Sequence, residues 1–234
     1  MTRFNLLHRK PLFISTAVTV AKTLTFAGVL FMSSAPSNAQ VNRIDIIRPD
    51  APSLAAYGDY DIGVRTLTLV DPGRVDILNT QAGAEAAIYD RKLTVEVWYP
   101  GKLETGQSRG GEYRAITRNP EIIATLSGQA VRDTAPDTPA AAKGAFPLVV
   151  ISHGYPGNRY LLSHLGENLA SKGFVVVSID HADSTYDDMQ AFSSTLYNRP
   201  LDQRFVIESM AELSADTNSF LAGMLDANNT GVVG

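Results

Sequence analysis

A chain of 234 residues with 44% hydrophobic side chains carries enough apolar content for one sizeable core, and it shows no repeat with a period of roughly 20 to 50 residues. That excludes a disordered tail and a solenoid. Its net charge of −4 comes without any Lys/Arg cluster, which argues against nucleic acid as a partner, and the absence of cysteine removes disulfides, thiolate metal sites and cysteine nucleophiles.

Residues 1–39 differ from the rest. Their charged side chains are Arg3, Arg9, Lys10 and Lys22, and the first acidic residue is Asp45. Apolar runs from Phe13 to Val20 and Leu24 to Met32 precede the small residues Ser37 and Ala39. A basic start, an apolar middle and small residues at −3 and −1 predict a signal peptide cut after Ala39, hence a secreted or periplasmic protein. A retained anchor or an organelle transit peptide is the alternative, though Lys22 interrupts the apolar run that a spanning helix needs. Without those four cations, the 24 acidic residues give the remainder a net charge of −8.

Residues 40–58 read as an extended lead-in broken by Pro49, Pro52 and Gly58. Ile62 to Val70 alternates apolar and polar residues and is expected to be a half-buried strand ending in a turn at Asp71-Pro72-Gly73. Arg91 to Tyr99 alternates again, with Leu93, Val95, Val97 and Tyr99 on one face, and is expected to pair with the first strand. Residues 102–144 read as a surface excursion in which Glu121 to Leu126 forms a short helix.

The pattern sharpens at Phe146. PLVVISHG is a continuous apolar strand ending in a turn, as for a parallel strand buried on both faces. Asn158 is placed to cap a helix with Leu161, Leu162, Leu165 and Leu169 at helical spacing, closed by Lys172-Gly173. FVVVSID is the next buried strand, completing a βαβ unit. A second helix is expected to start at Pro200, with Leu201, Phe205, Met210 and Leu213 as its apolar stripe, and to reach about Leu225. GVVG at 231–234 is expected to open a third parallel strand.

The series VVISHGYPGNR, helix, GFVVVSIDHADST resembles the α/β-hydrolase superfamily, and specifically the secreted serine esterases related to platelet-activating-factor acetylhydrolase and dienelactone hydrolase. The resemblance covers roughly Asp59 to Gly234, with GVRTLTLVD and KLTVEVWYP included. It implies an α/β-hydrolase fold: a mostly parallel sheet flanked by helices, led by antiparallel strands and incomplete at the C-terminus. It implies ester, lactone or acyl hydrolysis of a small or lipid-like substrate through a serine acyl-enzyme, with no cofactor and no metal.

A strand of this kind delivers its last residues to the carboxyl edge of the sheet, where open α/β sheets bind ligands. Glycines at 154 and 157 allow a tight turn and close backbone approach. By the family's pattern the Tyr155 N–H is an oxyanion donor, while His153, Gly154 and Gly157 support the turn. Asp180, His181, Asp183 and Ser184 gather at the next strand end, where His181 and Asp183 are expected to line the pocket. His164 is expected on a helix surface. Hydrolase triads run Ser, Asp or Glu, then His, with the serine on a Gly-x-Ser-x-Gly elbow between strand and helix. No serine is read as satisfying that motif and no histidine follows His181, so nucleophile, acid and base are expected beyond Gly234, with Gly234 as the elbow's first glycine. A non-catalytic α/β-hydrolase-like binding domain is the alternative. A Rossmann cofactor domain is disfavoured because no Gly-x-Gly-x-x-Gly turn follows a strand.

Overall fold

The computed structural model describes residues 42–142 and 144–234. The expected signal peptide lies outside the described residues. Among these, no helix is long and apolar enough to cross a membrane.

The strands are β1 (Asn42–Arg43), β2 (Asp61–Val75), β3 (Ile88–Lys102), β4 (Gly111–Ile116), β5 (Ile123–Gly128), β6 (Val131–Arg132), β7 (Ala135–Pro136), β8 (Phe146–Ser152), β9 (Val175–Asp180) and β10 (Leu225–Val233). The helices are α1 (Thr138–Ala141), α2 (Ser163–Ala170) and α3 (Phe192–Ala215), with a 3-10 turn at Ser53–Ala55. The main sheet runs β10-β8-β9-β3-β2-β6, with β7 beside the end of β3. β10, β8 and β9 are mutually parallel, and β3 joins them antiparallel to both β9 and β2. This is a mixed α/β sheet with the expected antiparallel lead and the expected third parallel strand.

Alternation on β3 sorts the core into two layers. Leu93, Val95, Val97 and Tyr99 face α3, where they meet Val206 and Met210. Trp98 faces the other way, packing with Val176, Ile151 and Tyr113 on the α2 side. β8 and β9 contribute to both layers, which is why their sequences are unbroken apolar runs.

Several expectations are corrected. Asp71-Pro72-Gly73 does not end its strand; β2 runs on to Val75 through an irregularity between Asp71 and Arg74. Residues 121–126 do not form a helix. β5 pairs antiparallel with β4, a small sheet that buries Tyr113 fully and Ala115 nearly so. The β-branched Ile122, Ile123 and Thr125 fit a pleated surface better than a helix. Asn158 caps no helix: its Oδ1 accepts from the Tyr160 amide at 2.8 Å, its Nδ2 donates to Ile116 O at 2.7 Å, and α2 starts at Ser163.

Pro200 lies inside α3 instead of opening it. Its missing N–H orphans a carbonyl in the turn carrying Leu196, which is 65% exposed, so water can serve that group. The buried line of α3 is also more polar than the expected stripe, comprising Ser194, Thr195, Asn198, Asp202, Val206, Ser209 and Met210. The helix stops at Ala215, not near Leu225.

Candidate active site

β8 carries Ser152 and His153 to the carboxyl edge of the sheet, beside the end of β9 and the last residues of β10. The turn Gly154-Tyr155-Pro156-Gly157 follows. His153 is 3% exposed, and its Nε2 accepts the His181 backbone N–H at 3.2 Å. An amide can only donate, so the imidazole hydrogen sits on Nδ1, which donates to Gly154 O at 2.7 Å. Burial lowers His153 to about 4, which keeps the ring neutral near pH 7. Gly157 must lack a side chain, since a Cβ there would lie 2.6 Å from His153 Nδ1. Gly154 has open space instead, and nothing lies within 4 Å of its Cβ position. The turn is tied to the loop after β9 by Gly157 N donating to Ser184 O and Tyr186 N donating to Gly157 O, both at 3.1 Å.

Arg199 on α3 reaches the same turn. Its guanidinium donates to His153 O, to Gly154 O at 2.9 Å and to Ser184 Oγ at 2.7 Å. It also stands 3.4 Å from His153 Nδ1, but that nitrogen bears a hydrogen and accepts nothing. Among the described residues the Tyr155 amide donates to no acceptor. The Tyr155 ring is 37% exposed, edge-on to Phe192 at 5.0 Å, with its hydroxyl donating to Gln190 O at 2.5 Å.

Beneath the turn lies a buried relay. Ser152 Oγ donates to His181 Nε2 at 2.9 Å, and His181 Nδ1 donates to Asp202 Oδ2 at 2.9 Å. Asp202 also takes Nε and Nη2 of Arg91 at 2.7 and 3.0 Å, and Arg74 at 3.3 Å. Burial opposes the Asp202 charge, but the bonds from His181 and Arg91 prevail and hold this carboxyl below its ordinary range. Burial lowers His181, so the imidazole is neutral and the proton order along the relay follows. The bonding order is that of a Ser-His-Asp triad. Its exposure is not: Ser152 is 4% exposed while His181 and Asp202 are fully buried, so no acyl carbon can approach the serine. The relay supports the floor of the turn.

The model of a protein family described as platelet-activating factor acetylhydrolase, isoform II, matches residues 86–211. The chain belongs to this family. The match spans β3 to most of α3 and therefore contains Arg91, the turn, His181, Arg199 and Asp202. A ferulic acid esterase from Streptomyces cinnamoneus, solved at 2.4 Å, is similar in structure, with 26% sequence identity and a TM-score of 0.52 over 82% of this chain. The chain spans 54% of that esterase's length. The fold is that of the α/β hydrolases.

In this platelet-activating factor acetylhydrolase-like chain the four polar residues at the end of β9 diverge, where the sequence suggested one cluster. His181 is corrected most: it lines no pocket, being fully buried against Ser152 and Asp202. Asp183 does stand on a cavity wall, in a space of about 310 Å³ shared with Asp76, Tyr89, Ser194 and Asn198. Its carboxylate takes Arg91 at 2.8 Å and Ser194 at 2.7 Å, and its φ of 70° is a conformation that Asp tolerates. Asp180 points to the opposite face and holds Arg159. A polar cavity of about 360 Å³ opens there, lined by Lys92, Arg114, Asn158, Arg159, Asp187 and Asp188 among others. His164 is exposed on α2. Among the described residues no three His, Asp or Glu side chains converge as metal ligands.

Ser152, Arg91, Arg199 and Asp202 escaped the sequence reading. One motif did as well: Gly106-Gln107-Ser108-Arg109-Gly110 has the spacing Gly-x-Ser-x-Gly. It occupies the exposed loop between β3 and β4, strands of two different sheets, where Arg109 pairs with Asp61, and it lacks the strand-to-helix elbow.

Proposed function

We propose that this chain contributes the oxyanion half of a carboxylic-ester hydrolase working through a serine acyl-enzyme. The observation that carries the proposal is the Tyr155 amide: a donor without an acceptor among the described residues, at the carboxyl edge of the sheet, in a chain of this family. Attack by a serine oxygen on the ester carbon moves a charge onto the carbonyl oxygen. A fixed N–H aimed at that oxygen contributes on the order of 3 kcal/mol to the transition state. A histidine base takes the serine proton and returns it to the departing alkoxide, leaving an acyl-enzyme that water then cleaves.

We place the nucleophile on the turn leaving β10 in the parent polypeptide, where its own amide supplies the second donor. Support comes from register: β10 pairs with β8 up to Val233 opposite Ile151, and a Cβ on Gly234 would stand 3.0 Å from Ser152 O. The substrate class is a small ester or lipid-like ester, and the location is secreted or periplasmic, resting on residues 1–39.

The test is turnover of short-chain nitrophenyl esters. The 234-residue chain should show only background, and Ser108→Ala should leave that unchanged. The parent polypeptide should turn over esters and lose this activity to a serine-directed phosphonate. Folded parent protein without phosphonate-sensitive turnover would instead favour a non-catalytic binding domain.

A further inference from the structure

We propose that Arg199 is a positioning residue for the oxyanion donor, locking the Gly154-Tyr155 peptide so that the Tyr155 N–H faces away from the protein. The proposal rests on the esterase reading above. It begins from peptide geometry. The Gly154-Tyr155 bond is trans, so its carbonyl and its N–H point to opposite sides of one rigid plane. Whatever fixes Gly154 O therefore fixes the direction of the Tyr155 hydrogen.

Two donors fix that oxygen. His153 Nδ1–H holds it at 2.7 Å and Arg199 Nη2 at 2.9 Å, while a second Arg199 nitrogen holds His153 O one residue earlier. Turning the plane over would face the Tyr155 N–H toward an imidazole N–H and a guanidinium, three donors with no acceptor among them. One of those donors is charged, which makes the bond strong and draws electrons from the peptide, so the opposite N–H becomes the better donor.

Arg199 is itself held. Ser184 Oγ accepts from it at 2.7 Å, and the loop carrying Ser184 is bonded to Gly157 on the far side of the turn. Neighbouring Asn198 lies in the buried line of α3, bonded to Arg74 at 2.8 Å. The guanidinium thus couples the helix that covers the α3 face to the peptide at the sheet edge. No element of the strand-turn-helix motif around residues 153–157 supplies this contact; it comes from 45 positions further along the chain.

The test uses Arg199→Met, Arg199→Lys and, as a control, Arg204→Met, which removes an exposed pair with Glu208 on the same helix. In the isotope-labelled 234-residue chain, Arg199→Met should move the Tyr155 amide and Gly154 carbonyl resonances. Arg199→Lys should move them less, and Arg204→Met not at all. In the parent polypeptide, Arg199→Met should lower kcat on a nitrophenyl ester on the order of 10²-fold with KM little changed, with part of the loss recovered in Arg199→Lys. Resonances that stay in place in Arg199→Met overturn the proposal. If that variant does not fold, Arg199→Lys decides, and an unmoved Gly154 carbonyl overturns it. Moved resonances with unchanged kcat establish the lock but overturn Tyr155 N–H as the oxyanion donor.

Discussion

Two fully buried carboxylates sit on the two helices that cover opposite faces of the sheet, and they are neutralised in different ways. Asp202 on α3 faces two cations, Arg91 bonded through two nitrogens and Arg74 at 3.3 Å, and also takes the neutral His181 imidazole at 2.9 Å. Glu167 on α2 meets no cation among its hydrogen-bond partners. Its oxygens take the Tyr113 hydroxyl at 2.5 Å, the Gln129 and Ala130 amides at 2.8 and 3.1 Å, and the Tyr57 hydroxyl at 3.4 Å. The first acid serves the floor of the candidate site through His181 and Ser152. The second ties the β4–β5 sheet and the segment after it to the core. A charge matched by charges fails badly when one partner goes, whereas a charge matched by neutral donors can be replaced by a neutral acceptor.

The largest expected effect follows directly. Asp202→Ala removes the buried carboxylate that Arg91 and Arg74 share and should cost about 3–5 kcal/mol of unfolding free energy, read from urea denaturation. Arg91 is 1% exposed and cannot swing into water without opening the α3 face. A loss below about 1 kcal/mol would show that water enters the cluster and that the charges are not matched in the way described.

Acid should separate the two regions next. His153, with an ordinary imidazole value of 6.5, is lowered by burial to about 4. Between these values the unfolded chain binds a proton that the folded chain refuses, so stability is complete above pH 6.5 and declines as pH falls towards 4. The loss should reach about 3 kcal/mol, with His181 adding in the same direction. Asp202, held below its ordinary 3.8, keeps its charge through this window. Around Glu167 burial raises both Tyr57 and Tyr113, so these hydroxyls keep their protons in mild acid. Amide exchange should accordingly rise around residues 152–157 before it rises in 111–128.

On the other face, Glu167→Gln keeps an acceptor oxygen but loses the charge, and should cost about 2 kcal/mol. Exchange in 111–130 should rise while the turn at 153–157 stays unchanged. Gly128 offers a second probe, because a Cβ there would lie 2.1 Å from Glu167 Oε1, whose carboxylate is pinned by four donors. Gly128→Ala should therefore loosen the same segment by displacing the acid without removing it.

The comparison also explains what the sequence made legible. Strands β2, β3, β8 and β9, helix α2 and the turn at 153–157 announce themselves through apolar patterns and glycines, signals that are local in the chain. Arg91 and Asp202 announce nothing locally, since their meaning depends on 111 residues of separation closing to 2.7 Å. Each did leave a trace in periodicity. Arg91 holds the inward parity of Leu93 and Val95 on β3, and Asp202 lies four residues from both Asn198 and Val206 on the buried line of α3. A charged residue at a core position is a signal that it has a partner, though not which one. The β4–β5 sheet was missed for a different reason: its glycine-rich flanks look like loop, and its Tyr113 is anchored on Glu167, 54 residues further along the chain.

The smallest effect discriminates most finely within the Glu167 cluster. Tyr57 and Tyr113 both donate a hydroxyl to that carboxylate, but at 3.4 and 2.5 Å. Hydrogen-bond energy falls steeply over that range, and Tyr113 is fully buried with a second bond from Trp98 Nε1 at 2.9 Å. Tyr57→Phe should cost less than about 0.5 kcal/mol, whereas Tyr113→Phe removes a charge-assisted bond and strands the indole N–H, for about 2 kcal/mol. Equal costs for the two would mean that the carboxylate is satisfied by its backbone donors alone. The tyrosines would then be packing neighbours, and the contrast with Asp202, whose partners are all side chains, would become sharper still.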